Sequence, residues 1–190
     1  MSESKFDLCS RALQRVGCKA ITSFDDNTTE SIVAGREYDP LLEAKLCGPP
    51  RWRFAATQYD LNLVTGEPKA RWSYIFQIPA DCLVLHAVTD GQVPVPYDRY
   101  GDKIYADQDQ GLVADYTYRP DESLFPAYFR EALVVELAAK FALGIKRNSS
   151  MAADLRGEAE KIAWPRARIL DSQQQTTRRV RATRLTGVRG

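Results

Sequence analysis

Apolar residues recur at three- and four-residue spacing near both ends of the chain and at two-residue spacing between them. Over 4–16, Leu8, Cys9, Ala12, Leu13 and Val16 fall on one helical face. Gly17 stops that helix, because glycine takes a left-handed C-terminal residue cheaply. A polar loop, ITSFDDNTTE, leads into a second helix whose apolar face is Tyr38, Leu41, Leu42 and Leu46. Asn27 and Glu30 resemble a capping box, Pro40 should kink the helix, and CGPPRW ends it. From 51 to 120 the period shortens: WSYIFQIP alternates Tyr74, Phe76 and Ile78 with other residues, and Leu112, Ala114, Tyr116 and Tyr118 line one strand face. Asp90-Gly91 is a hairpin turn. These signals predict a small antiparallel sheet of about four or five strands. The helical period then returns. Phe129, Leu133, Leu137 and Phe141 make one stripe, and Ala132, Val135, Ala139 and Ala142 widen it. NSS opens a last helix, capped by Ser149 or Ser150, with Met151, Leu155, Ala159, Ile162 and Ile169 toward the core and Pro165 inside it.

The expected fold class is therefore α+β: a four-helix bundle with an inserted small antiparallel β-sheet and an extended C-terminal arm. Residues 1–50 form an N-terminal helical hairpin, 51–120 the β subdomain, 121–170 a C-terminal helical hairpin, and 171–190 the arm. The first two helices cannot stand alone, since each has only one apolar stripe.

Charge sharpens this division. The 190 residues carry a formal +1, yet residues 171–190 hold five arginines against Asp171, a net of +4. The other 170 residues hold 21 basic and 24 acidic side chains, a net of −3. A mildly acidic body thus ends in a basic segment. The N-terminal stretch has no apolar core of a signal peptide, and no apolar run nears the ~18 residues of a membrane span. Made in a cytoplasm, the chain is expected to stay soluble.

Candidate chemistry is sparse. Cys9, Cys18, Cys47 and Cys82 are scattered with no CxxC pair, and His86 is the single histidine. That spacing predicts four reduced, mostly buried thiols and no metal site. His86 lies in an apolar strand and reads as a packed or edge side chain rather than a general base. Asp25 and Asp26 read as caps, and DQDQG at 107–111 as a turn, since it lacks a calcium loop's third ligand and distal glutamate. No nucleotide or nucleophile fingerprint occurs. The expectation is a protein that is not an enzyme and uses no cofactor.

Two features point to binding. The small sheet region carries 11 aromatic residues, more than a sheet of that size can hide. Trp52, Phe54, Trp72, Tyr74, Tyr97 and Tyr100 are the candidate interface residues. The C-terminal arm is the other feature. It reads as a nucleic-acid tail, a disordered solvated end, or a strap onto a partner protein, and the residues leave all three open. Its 20 residues reach roughly 65 Å when extended, enough to cross to another subunit.

Three blocks, in order, carry a resemblance: AITSFDDNTTESIVAGREYDPLLEAKLCGPPRWRFA, WSYIFQIPADCLVLHAV, and the stretch from YRPDESLFPAYF to ARILDSQQ. Together they span about 20–175 and resemble the tail tubular protein A, or head-to-tail connector (adaptor), family of tailed bacteriophages. That resemblance implies a structural virion protein. It would form a homo-oligomeric ring, commonly dodecameric, joining the portal protein to a tail nozzle or tail tube protein and extending the DNA exit channel. Genomic DNA would pass through the lumen without specific binding, and no membrane would be involved. The implied location is the head–tail interface of the virion, after synthesis in the host cytoplasm. Within this reading, Arg178, Arg179, Arg181, Arg184, Leu185 and Val188 are the candidate portal-binding arm. The alternative is a nucleic-acid-binding module using the basic C-terminal tail.

Overall fold

The computed structural model describes residues 3–68, 71–91 and 93–174. Helix α1 (Lys5–Arg15) opens on a capping box between Ser4 and Asp7 and ends before Gly17, whose φ is +69°. Helix α2 (Thr29–Cys47) starts one residue later than Asn27 and Glu30 predicted. Thr28 and Ser31 form its capping box, while Asn27 takes a φ of +47° to turn the chain into it. It runs through Pro40 as one helix. Pro40 and Arg36, whose carbonyl loses its usual donor, are both exposed, so water can take the freed acceptor.

The β region contains two sheets where one was expected. A short 3-10 turn (Arg53–Ala55) leads to β1 (Ala56–Asp60), β2 (Asn62–Leu63), β3 (Tyr74–Gln77), β4 (Cys82–Asp90), β5 (Val93–Pro94), β6 (Asp98–Tyr100), β7 (Lys103–Ala106) and β8 (Leu112–Tyr118). The first antiparallel sheet runs β1-β8-β4-β5 and the second β2-β3-β7-β6. Alternation reveals which side chains share a face, but not which strands pair. Here β3 pairs with β7 and β4 with β8, so successive strands go to different sheets. The inner faces meet in one cluster, with Phe76, Ile104 and Ala106 from the second sheet against Val88, Leu112, Ala114 and Tyr116 from the first.

Helix α3 (Ala127–Gly144) is the centre of the other core, and Phe129, Leu133, Leu137 and Phe141 are all fully buried. Helices α1 and α2 pack on one side of it. On the other lies α4 (Ser149–Glu158), a π-helical turn (Ala159–Ala163) and α5 (Trp164–Ser172). Asn148, not Ser149 or Ser150, caps α4 by accepting from Met151 N at 3.0 Å. The π turn corrects the predicted face of this last segment. It spends an extra residue just before Pro165, which has no N–H to give, and so rotates α5 relative to α4. Trp164, Ala167 and Asp171 turn inward, while Ile162 and Ile169, expected in the core, are 63% and 60% exposed.

The chain is thus mixed α+β, with its helices around one apolar core and two small antiparallel sheets around another. Much of what joins the halves is polar. Arg51, four residues past α2, forks onto Asp115 of β8 at 2.6 and 3.1 Å. Arg119, just past β8, reaches Asp39 of α2 at 2.6 Å. Tyr38 donates to Glu122 at 3.1 Å, and its phenol pKa is pushed up by burial and by that carboxylate.

Candidate functional site

The outer face of the second sheet carries two of the six expected contact residues, Trp72 and Tyr100. In β3 and β7, residues alternate between faces. Phe76 and Ile104 point to the inner core, so Ile75 and Tyr105, paired across the strands, point outward. Both are nonetheless buried: Tyr100 meets the Tyr105 ring edge-on at 5.3 Å, and the chain at Gly66 lies against the Ile75 side chain. Asp98 of the edge strand β6 ties Trp72 and Tyr100 together. Its Oδ2 accepts from Trp72 Nε1 at 2.9 Å and from Tyr100 OH at 3.0 Å, and it pairs with Arg71. The Arg71 guanidinium also lies over the Trp72 ring, 5.4 Å from its centre.

These contacts fix the charge states. The Arg71 hydrogen bond, then that of Trp72, holds the Asp98 carboxyl below its ordinary range. The hydrogen bond to Asp98 pushes the Tyr100 phenol up, and the same carboxylate raises Arg71. No proton is poised to move here near neutral pH. What the patch offers is a pre-organised aromatic and guanidinium surface, with Tyr100 55% exposed, which suits docking.

Tyr74 and Tyr97 are half-buried against the inner sheet core, so they support this face rather than form it. Trp52 corrects the sequence reading. Its ring is 2% exposed, packed on Phe129 at 5.1 Å and Trp164 at 5.8 Å, and its Nε1 donates to Lys45 O at 2.8 Å. A tryptophan beside the deepest helix was drawn into the core, and it presents no surface to a partner. Phe54 is half-buried against Phe125 and Phe129. The arm residues Arg178, Arg179, Arg181, Arg184, Leu185 and Val188 lie outside the described residues.

Sequence reasoning missed two polar constellations. His86 Nε2 and Thr117 Oγ1 lie 2.7 Å apart, with Arg51 and Asp115 nearby. Burial and then Arg51 push the imidazole pKa down. Thr117 is fully buried, so no substrate reaches its hydroxyl. The second is Asp171, 3% exposed, which accepts from the Arg53 amide at 3.1 Å and from Tyr128 OH at 2.9 Å. Its position at the end of a helical stretch gave no hint of burial; only the π-turn rotation turns it inward.

The remaining candidates are structural. Asp26 accepts from the amides of Thr22 and Ser23, which lower its pKa, and so closes its own loop rather than capping α2. The stretch 107–111 is a crossover from β7 to β8 of the other sheet rather than a hairpin turn, and Asp107 ties it to the start of β3 by accepting from Ser73 N and Oγ at 3.2 and 3.1 Å. Of the four thiols, expected to be mostly buried, only Cys9 is, its pKa pushed up by burial to about 12; Cys18 and Cys82 are half-buried and Cys47 is exposed. Among the described residues no group of three or more His, Cys, Asp or Glu is placed to hold a metal ion, and no helix is long and apolar enough to cross a membrane. A groove of about 430 Å³ lies between α3 and α5, with Arg15 of α1 and Glu158 of α4 at its border. No protein-family model and no curated protein matches this chain.

Proposed function

We propose that the protein is a structural head-to-tail adaptor of a bacteriophage virion. Its helices would act as a rigid four-helix bundle, and the subunits would close into a ring, dodecameric by the resemblance. That ring would join portal to tail nozzle or tail tube and prolong the DNA exit channel. The observation that carries this reading is where the resembling blocks meet. Trp52 and Phe54, from the first block, interlock with Phe129 and Trp164, from the third, although more than 70 residues separate Phe54 from Phe129. The family-like residues are therefore those on which the fold depends. The aromatic patch around Asp98 would be a subunit or tail contact, and the arginine-rich end would grip the portal. A body with a net charge of −3 suits a lumen wall that lets DNA slide past.

Electron microscopy of the protein mixed with a phage portal protein tests the proposal. Closed rings seated on the portal are expected. A chain that stays monomeric and ignores the portal, yet shifts duplex DNA with a steep salt dependence lost on removing 171–190, would instead establish the nucleic-acid-binding alternative.

A further inference from the structure

Strand β1 is the end strand of the first sheet, and Gln58, Tyr59 and Asp60 are exposed along it. Leu61 N donates to Leu112 O at 2.8 Å, so in this antiparallel ladder the amides of Thr57, Tyr59 and Leu61 face β8. The amides of Gln58 and Asp60, and the carbonyls of Ala56, Gln58 and Asp60, therefore face away from the sheet. The Ala56 amide goes to Arg53 O in the turn before the strand. The other sheet edges are protected. At the far end of the same sheet Val95 N donates to Val88 O, so Pro94 and Pro96 take the outward positions and leave no donor there. The edge strands of the second sheet, β2 and β6, are only two and three residues long. Strand β1 has five residues, ATQYD, with no proline, glycine or lysine among them.

We propose that β1 pairs antiparallel with β1 of a second copy of this chain about a two-fold axis, joining two four-stranded sheets into one continuous sheet. The strand is complementary to itself, as a two-fold contact requires. Its five residues overlap over their full length in one antiparallel register, which sets Gln58 opposite Gln58 of the second copy. In that register the two Gln58 amides reach each other's carbonyls at the axis. At each end an Asp60 amide reaches an Ala56 carbonyl. On one face Asp60 lies beside Ala56, so no like charges meet. On the other, Tyr59, 45% exposed in the single chain, lies beside Thr57, and an aromatic ring against a β-branched neighbour is a favourable cross-strand pair. Centring the contact on Asp60 instead would oppose two carboxylates and shorten the overlap.

The pairing concerns the free protein and does not rest on the adaptor reading. Neighbours in a ring built on one rotation axis have no two-fold contact between them. If the adaptor reading holds, β1 pairs open before the ring closes, and the dimer is the form of the unassembled chain.

Sedimentation of the isolated full chain from about 1 μM to about 1 mM should show a monomer–dimer equilibrium. Gln58→Pro removes an outward amide only, since the bonds to β8 come from Thr57, Tyr59 and Leu61. Its circular dichroism should match that of the parent, while its dimer dissociation constant should rise at least about tenfold. A second measurement fixes the register. With the exposed native thiol removed by Cys47→Ser, Gln58→Cys should form a disulfide between copies when oxidised glutathione is supplied, because facing Cα atoms in a hydrogen-bonded pair lie about 5.5 Å apart. Asp60→Cys in the same background should not, since those positions sit about 14 Å apart along the strands. If Gln58→Pro fails to fold, the two cysteine variants decide alone. A parent chain that stays monomeric to about 1 mM overturns the proposal. Rings that form with no dimer on the way overturn it too, and leave the adaptor reading standing. Dimerisation of Gln58→Pro at parental affinity, or a disulfide that forms as fast at position 60 as at position 58, would likewise remove β1 as the contact.

Discussion

The helical half and the sheet half treat their aromatic residues in opposite ways. Around α3, Trp52, Phe54, Phe125, Phe129 and Trp164 stack edge to face in one cluster, with four of the five rings nearly or fully out of water. In the β region the aromatics divide between two faces. Phe76 and Tyr116 fill the inner core, while Trp72, Tyr100 and Tyr105 build a cover on the outside, tied by a carboxylate. A helix with a broad apolar surface can recruit rings from distant segments until none is left over. A thin sandwich has room for few, and the rest must be held in place by polar partners.

The sharpest way to break this contrast is to empty the ring cluster. Phe129→Ala leaves a cavity among Trp52, Trp164 and Phe125 and should cost about 3–5 kcal/mol. Ile104→Val, in the fully buried sheet core, should cost about 0.5–1.5 kcal/mol. Both should lower one shared midpoint in urea, followed by far-ultraviolet circular dichroism and by tryptophan fluorescence. The polar ties from Arg51, Arg119 and Tyr38 couple the two cores into one cooperative unit. Two separated transitions in either variant would mean that the halves fold independently.

The buried carboxylate comes next. Asp171→Ala would strand the Arg53 amide and the Tyr128 hydroxyl away from water, at a cost of about 1–3 kcal/mol in urea unfolding. Burial and Asp171 together push the Tyr128 phenol up, so its alkaline titration should fall back toward the ordinary range in the variant. An unchanged titration would detach Tyr128 from Asp171.

The same two regions explain what could be read from the sequence. Local rules held where a residue's neighbours in the chain are also its neighbours in space: the α1 stripe, the Gly17 stop, the Asp90-Gly91 turn and the Leu112, Ala114, Tyr116 face. They failed by one residue where two side chains competed for a cap, at Thr28 against Asn27 and at Asn148 against Ser149. They failed wholly where one distant event resets a pattern. A single π turn carries Ile162 and Ile169 outward and brings Asp171 in. The Asp98 site joins residues 26–27 positions apart and needs the β3-β7-β6 pairing, which periodicity does not specify.

Acid should weaken the sheet side in two stages. The folded His86 pKa lies below its ordinary 6.5, because burial and then Arg51 disfavour the charged ring. The unfolded chain therefore takes up the proton first. The stability His86 contributes is complete above about pH 6.5 and is lost as the pH falls below it toward the folded value. Asp115 and Asp98, held low mainly by Arg51 and Arg71, follow in the carboxylate range. Unfolding midpoints between pH 7.5 and 5 should decline modestly, and His86→Gln should flatten that decline while leaving the lower-pH loss intact. A slope unchanged in the variant would remove His86 from the account.

The smallest effect on stability should come from the outer patch, and the reason lies in comparing two carboxylates. Asp171 and Asp98 each collect several donors, but the first is sealed in and the second sits at a wet edge. When a donor to a buried acceptor is removed, nothing replaces it. When a donor to an exposed one is removed, water does. Tyr100→Phe keeps the ring against Tyr105 and deletes only the hydroxyl that reaches Asp98. Its unfolding midpoint should match that of the parent chain. Its binding should not, if this face is where another protein docks, because the freed ring and carboxylate no longer hold one geometry. Ring assembly on the portal, or self-association measured by sedimentation, should weaken while the fold stands. A midpoint that drops as far as that of Asp171→Ala, with assembly unchanged, would make the patch a piece of the scaffold and move the docking surface elsewhere.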